Sequence, residues 1–168
     1  ILRPSTLVGH SETGWGGNLY HGVYTLWDMV RQCYLAGGHN LTVPLRPMDE
    51  LNLLPIDIFI NKTLDILEKN SIEHLQVVHQ IAENNVSIAK CLVAICLLIP
   101  IRITYAESRE DKEDVSDIFE LLRDRIDFRG EGWRLDTNNI RGIMKGRYRE
   151  FYLADRILDL LLKNFLIT

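Results

Sequence analysis

The run CLVAICLLIPI, Cys91 to Ile101, constrains the fold more than any other stretch. Lys90 and Arg102 bound it, and its eleven residues fall far short of the roughly 20 that a membrane-spanning helix needs. Pro100 lacks the amide that would carry a helix past it. A helix apolar on every side is expected at the centre of a bundle. At 168 residues, 46% hydrophobic and 25% charged, the chain has the composition of a globular domain large enough to fold without disulfide or metal staples.

Apolar spacing places further helices around that run. Leu19, Val23, Leu26, Trp27, Val30, Cys33 and Tyr34 predict a first helix over 18–35, stopped by Gly37 and Gly38. Pro44 and Pro47 mark residues 37–54 as a long ordered connection with an extended piece at 41–45. Pro55 opens a second helix to about residue 69. Ser71 caps a third over 72–83, with Ile72, Leu75, Val78 and Ile81 inward, and Ser87 caps the central apolar helix. The β-branched IRITY after Pro100 suits a short strand, but with no partner in view it reads as coil or helix extension. Glu110, Asp111, Glu113 and Asp114 crowd the first turns of a fifth helix, where the helix dipole favours negative charge. A last helical region spans 137–166, with Gly142 or Gly146 as bend points. The expected fold class is therefore all-α: an irregular bundle of about five or six helices. Residues 1–17 form a flexible glycine-rich N-terminal arm, and 18–168 a single helical domain.

Beginning at Ile1, the chain reads as a processed product or a piece of a longer polypeptide. Cys33, Cys91 and Cys96 are odd in number and lack C-x-x-C spacing, which favours buried thiols in a reducing, intracellular compartment. The sequons at Asn40, Asn61 and Asn85 pull toward secretion.

The glycine-rich GHSETGWGGN, Gly9 to Asn18, has the first glycine spacing of a phosphate-binding P-loop. Trp15 and Gly16 stand where that motif needs Lys and Ser or Thr, so no cation meets the phosphates and no hydroxyl meets a metal. As a nucleophile elbow it needs glycine at Thr13. The adjacent LYHG, Leu19 to Gly22, resembles the His-Gly signature that opens ADP-ribosyltransferase domains. That resemblance implies a histidine contacting the ribose of NAD. The family's later tyrosine and glutamate signatures have no counterpart here, and no residue is carried over. His74 and His79 lie roughly 140° apart on a helix, wrong for one metal. A calcium loop starting at Glu110 or Asp111 would need glycine at Val115 or Ser116. No cofactor and no metal site is expected.

The remaining candidate surface is basic and aromatic. On a continuous last helix, Arg141, Lys145, Arg149 and Arg156 fall within roughly 80° of one another, with Tyr148 and Tyr152 between them. Residues 129–149 carry six basic and two acidic residues, against nine acidic and four basic in 107–127. With no nucleophile, base and oxyanion set in view, the expected function is a non-catalytic helical protein-interaction domain, with a protein partner or self-association. Two alternatives stand beside it. One is RNA or single-stranded DNA binding through Arg141, Lys145, Tyr148, Arg149, Tyr152 and Arg156, against which the net charge of −4 argues mildly. The other is a secreted ligand resembling four-helix cytokines in size and sequon content.

Overall fold

The structure, a computed structural model, describes residues 1–17, 22–43, 45–68, 77–105, 136–144 and 146–167. In chain order the described elements are β1 (Leu2–Pro4), β2 (Thr6–Val8), α1 (Val23–Leu35), β3 (Asn40–Val43), β4 (Glu50–Leu51), β5 (Leu53–Pro55), α2 (Ile56–Glu68), β6 (Val78–Gln80), β7 (Val86–Ser87), α3 (Ile88–Cys96), β8 (Arg102–Tyr105), α4 (Asn138–Met144) and α5 (Asp155–Ile167). They fall into two compact units. One comprises Ile1–Gly17, Asn52–Asn85 and Trp133–Thr168; the other comprises Asn18–Leu51 and Val86–Gly132.

In the first unit, β1 pairs in parallel with β6, and β2 in parallel with β5. Consecutive amides of an extended chain point to opposite sides. Ser5 N–H accordingly donates to the Gln80 carbonyl at 2.9 Å, and Thr6 N–H to the Asn52 carbonyl at 3.2 Å. Residues 2–8 thus run between β6 and β5, making three parallel strands. Parallel neighbours need a crossover, and α2 supplies it, starting directly after β5 and returning the chain toward β6. Ile66 of α2 joins Val78, Ile140 and Met144 in one buried cluster, with Leu2, Ile143 and Tyr148 packed against it. In α5, Ile157, Leu158, Leu161 and Leu162 are buried at helical spacing. Each such side chain contributes roughly 1.5–3 kcal/mol by leaving water.

In the second unit, α1 buries Val23, Leu26, Trp27 and Val30, and Trp27 meets the Tyr24 ring edge-on at 5.2 Å. Gly37 follows the helix at φ 83°, a conformation that suits glycine. β3 and β8 pair in parallel, β4 and β7 antiparallel. The amino end of α3 has its orphan amides satisfied three times. Ile88 N–H donates to the Asp49 carbonyl (2.7 Å), Ala89 N–H to the Pro47 carbonyl (3.0 Å) and Lys90 N–H to Ser87 Oγ (3.2 Å).

These observations correct the all-α expectation. Residues 2–8 are the middle strand of a parallel set rather than a flexible arm, and the residues after 18 hold strands as well as helices. The third helix expected over 72–83 is overturned at Val78–Gln80, which is strand; residues 71–76 lie outside the described residues. IRITY found its partner in β3, where the Thr42 and Thr104 hydroxyls meet at 2.9 Å. The apolar run does form helix α3 and buries Cys91, Leu92 and Ile95. Yet Val93 is 55% and Leu97 80% exposed, so it is not a hub surrounded on every side. The last helical region is broken between Met144 and Asp155. The fifth helix expected over 110–127 lies outside the described residues. Among the described residues, no helix is long and apolar enough to cross a membrane. Strands of two to four residues are too short to display alternation, and a buried parallel strand reads as a plain apolar run.

Asn52 ties the start of β5 to the turn after β6. Its Nδ2 donates to the Ala82 carbonyl (2.8 Å) and Asn85 Oδ1 (2.9 Å), while its Oδ1 accepts from Ala82 N–H (3.0 Å). Ala82 is buried, so Asn52→Ala leaves its amide and carbonyl without partners. A loss of about 2–3 kcal/mol in urea-unfolding free energy is expected, with an unchanged slope.

Candidate functional site

Open parallel sheets bind ligands beyond the carboxyl ends of their strands. In the first unit three segments leave that edge. β2 runs into the loop Gly9–Gly17, β5 into the first turn of α2, and β6 into Ile81–Asn85.

The loop is built from its own hydrogen bonds. His10 N–H donates to the Trp15 carbonyl (2.9 Å) and Gly14 N–H to the His10 carbonyl (2.8 Å). Glu12 N–H donates to His10 Nδ1 (3.1 Å), and Trp15 N–H to Thr13 Oγ1 (3.2 Å). Ser11 turns outward from this ring and donates twice to the Asp57 carboxylate, through N–H at 2.8 Å and Oγ–H at 2.6 Å. The amides of residues 10, 11, 12, 14 and 15 are therefore all engaged. A phosphate cradle needs such amides free and convergent. Here a carboxylate already occupies the Ser11 amide, and it would repel a phosphate.

Two of the loop's glycines have another use. Gly14 sits at φ +71°, and a Cβ there would collide with the Leu160 carbonyl oxygen, so the loop backbone rests directly on α5. A Cβ on Gly9 would lie 2.8 Å from the carbonyl oxygens of Gly14 and Trp15, so the loop also closes tightly on itself. Held this way, it presents Trp15 to solvent at 63% exposure, flanked by exposed Glu12 and Thr13. Burial alone would raise the Asp57 pKa. The Ser11 hydroxyl and amide, Asp57's own amide and nearby His10 outweigh that and hold the carboxyl below its ordinary value.

The second cluster lies around the turn after β6. Lys62 of α2 is buried, with Nζ 3.3 Å from the Ile81 carbonyl and 3.5 Å from Tyr148 Oη. Tyr148 donates its hydroxyl to Glu83. Its ring lies 4.8 Å from Lys62 Nζ and 5.2 Å from Arg141 Cζ. Arg141 Nη2 reaches Glu83 Oε2 at 3.3 Å and Glu150 Oε1 at 3.1 Å, and Tyr152 donates to Glu150 at 3.0 Å. Burial lowers the Lys62 pKa against the pull of Glu83; burial and then the Glu83 hydrogen bond raise that of Tyr148. Two cations face two carboxylates, which makes this a neutral internal tie. Behind it Gln80 is fully buried. Its Nε2 donates to Thr63 Oγ1 at 3.0 Å, and its Oε1 has no protein partner among the described residues.

Of the six residues expected to form a basic-aromatic stripe, the structure gathers Arg141, Tyr148 and Tyr152, and it does so around Glu83 and Glu150. Arg149 is exposed in the segment between α4 and α5, Arg156 is exposed in the first turn of α5, and Lys145 lies outside the described residues. The stripe presumed one continuous helix, and the break after Met144 removes that geometry. Leu19 to His21 of LYHG also lie outside the described residues, as does His74; His79 is on β6 rather than a helix. Sequence reasoning missed Ser11, Asp57, Lys62 and Glu83. An acid two residues after Pro55 was the available sign for Asp57, but an acid in a first helical turn ordinarily reads as a partner of the helix dipole. Among the described residues, no group of three or more His, Cys, Asp or Glu side chains is arranged to hold a metal ion.

No family model matches the chain, and no curated protein matches it. Solved structures do. The terminal R domain from the myxalamid PKS-NRPS biosynthetic pathway superposes with a TM-score of 0.65 at 18% identity, over 99% of this chain and 44% of that one. UDP-glucuronic acid 4-epimerase from Bacillus cereus, in complex with UDP-glucuronic acid and NAD, gives 0.61 at 14% identity, over 99% and 45%. RMD from Pseudomonas aeruginosa complexed with NADPH gives 0.59 at 10%, over 98% and 46%. The fold is thus a Rossmann-like one, shared with a UDP-sugar epimerase among others, and the chain spans less than half the length of these structures. This overturns the reading as a non-catalytic helical interaction module, because the described residues form parallel strand pairs and not a helical bundle; the nucleic-acid alternative loses its continuous last helix, and the cytokine-like one its four-helix fold.

Two outcomes follow for the loop. Gly14→Ala combines a left-handed backbone with a collision against α5; it is expected to cost at least about 2 kcal/mol, read as a lowered melting temperature. Because the folded Asp57 pKa is depressed, its contribution to stability is complete above the unfolded carboxyl value and disappears as pH falls through the folded one. Asp57→Asn should therefore melt below the wild type at pH 7 and lose less on acidification toward pH 3, measured by circular dichroism.

Proposed function

We propose that this chain supplies the substrate-facing portion of an NAD(P)-dependent oxidoreductase or epimerase, and that the grip on the nucleotide's pyrophosphate lies outside these 168 residues. One observation carries the reading: at the carboxyl edge of the parallel strands, the glycine-rich loop closes on itself and on Asp57 instead of opening its amides. A dinucleotide site of this fold places the pyrophosphate on the free amides of a G-x-G-x-x-G turn at a helix amino end. That pattern occurs nowhere in the chain, and the loop at the right edge does not fit the group.

What the loop offers suits a substrate better. Thr13 contributes a hydroxyl and Trp15 an exposed indole, on a backbone fixed by Asp57 and by contact with α5. A prefixed surface of this kind orients a bound group at little entropic cost. Asp57 is a positioning residue, acting through Ser11. The likeness to structures holding NAD and NADPH supports the class of reaction.

The test compares the isolated chain with the longest polypeptide its gene encodes. Calorimetric titration of the isolated chain with NADH or NADPH should show no binding up to about 1 mM. In the longer polypeptide, Asp57→Ala should raise KM for the second substrate about tenfold while leaving the nucleotide Kd unchanged. Micromolar nucleotide binding by the isolated chain would overturn the proposal.

A further inference from the structure

Four hydrogen bonds of its own close the loop Gly9–Gly17, and one of them is chemically unlike the others. Three end on a carbonyl or a hydroxyl: His10 N–H on the Trp15 carbonyl, Gly14 N–H on the His10 carbonyl, and Trp15 N–H on Thr13 Oγ1. None of these acceptors titrates near neutrality. The fourth runs from Glu12 N–H to His10 Nδ1 at 3.1 Å. A ring nitrogen accepts only while it is unprotonated, so this bond selects the neutral imidazole with its proton on Nε2. Imidazole is the side chain that ordinarily gains charge between about pH 8 and pH 5. Once Nδ1 is protonated, two donors face each other and the bond to Glu12 is lost.

The groups around His10 decide where a charged ring turns. Asp57 comes from α2 and lies close enough for the charge of His10 to act on its carboxyl. Its Oδ1 accepts the Ser11 amide and its Oδ2 the Ser11 hydroxyl, which leaves each oxygen a further lone pair. Glu12, on the loop itself, is exposed. From α5 the loop meets Leu160 and, at the Thr13 carbonyl, Asn164, both uncharged. Asp159 and Lys163, beside them in sequence, are exposed and opposite in sign. A protonated ring thus has carboxylates to turn to and no bond left to hold it at the Glu12 amide. The effect reaches Trp15 through one residue: His10 fixes the amide of Glu12, and Thr13, which follows, supplies the acceptor for the Trp15 amide.

We propose that His10 is a positioning residue: its neutral ring holds the Glu12–Thr13 turn that presents Trp15, and its protonation releases that turn. A proton is then the regulator of the surface assigned above to the substrate. That consequence rests on the functional reading, whereas the behaviour of the loop does not.

The test follows the isotope-labelled chain by NMR from about pH 8 to pH 5, with His10→Asn beside the wild type. Asn places a carbonyl oxygen where the ring has Nδ1 and does not titrate, so it should keep the loop closed throughout. In the wild type at the alkaline end, His10 Nδ1 should resonate as an unprotonated acceptor nitrogen. Acidification should convert it to the protonated form. The Trp15 indole N–H, assigned by its loss in Trp15→Phe, should shift with the same midpoint. Exchange protection of the Glu12 amide, corrected for the pH dependence of free amides, should fall about tenfold over the same range. In His10→Asn both signals should stay level. A proton on Nδ1 at the alkaline end overturns the proposal, as does a ring that titrates while Trp15 and Glu12 do not respond. Equal responses in His10→Asn overturn it too, by assigning the change to a carboxylate. None of these readouts uses nucleotide or substrate, so nucleotide binding by the isolated chain would remove the functional reading and leave the role of His10 standing.

Discussion

The first unit depends on the backbone of residues 2–8 bonding in two directions, to β6 through Ile1 and Ser5 and to β5 through Thr6. An extended segment with strands on both sides satisfies its buried amides and carbonyls without help from side chains. The parallel sense of both pairings then forces the crossover through α2. It also delivers the ends of β2, β5 and β6 to one edge. Ser11 and Asp57 lie 46 residues apart in the chain and meet there for that reason.

The chemistry at this edge is a matter of which anion holds the loop. Backbone amides at the end of a strand attract negative charge, and many proteins use that to bind phosphate. Here the protein's own Asp57 takes the position. The loop becomes rigid as a result, and the anion-binding capacity that its glycines advertise is used internally. The Lys62, Glu83, Tyr148, Arg141 and Glu150 network works in the same sense. Its charges cancel, two cations lie 4.8 and 5.2 Å from its aromatic ring, and it braces the turn after β6 without leaving a net charge to recruit a polyanion.

Much of the local structure was legible. The spacing of Val23, Leu26, Trp27 and Val30 marks α1, Pro55 marks the start of α2, and Ser87 caps α3 as its side chain allows. Val78 misled, because a residue at helical spacing from Leu75 and Ile81 is also a buried residue of a three-residue strand. Arg141 and Tyr148 misled differently: their residue types suggested recognition of a polyanion, whereas Glu83 and Glu150 engage them internally. Neither acid is near enough in sequence to Arg141 to be read as a helical partner at three or four residues' spacing.

What the sequence determined by itself was where α1, α2 and α3 form, since spacing, an opening proline and a serine cap act on neighbours within a few residues. It also determined that the chain carries no lysine-bearing P-loop and no G-x-G-x-x-G turn. The tertiary structure alone decided that residues 2–8 are a central strand, that Ser11 meets Asp57, and that the loop glycines serve contact with α5 rather than a ligand. The physical reason is range. Strand pairing and carboxylate capture are settled between segments tens of residues apart, and no local pattern encodes which distant partner supplies the hydrogen bond.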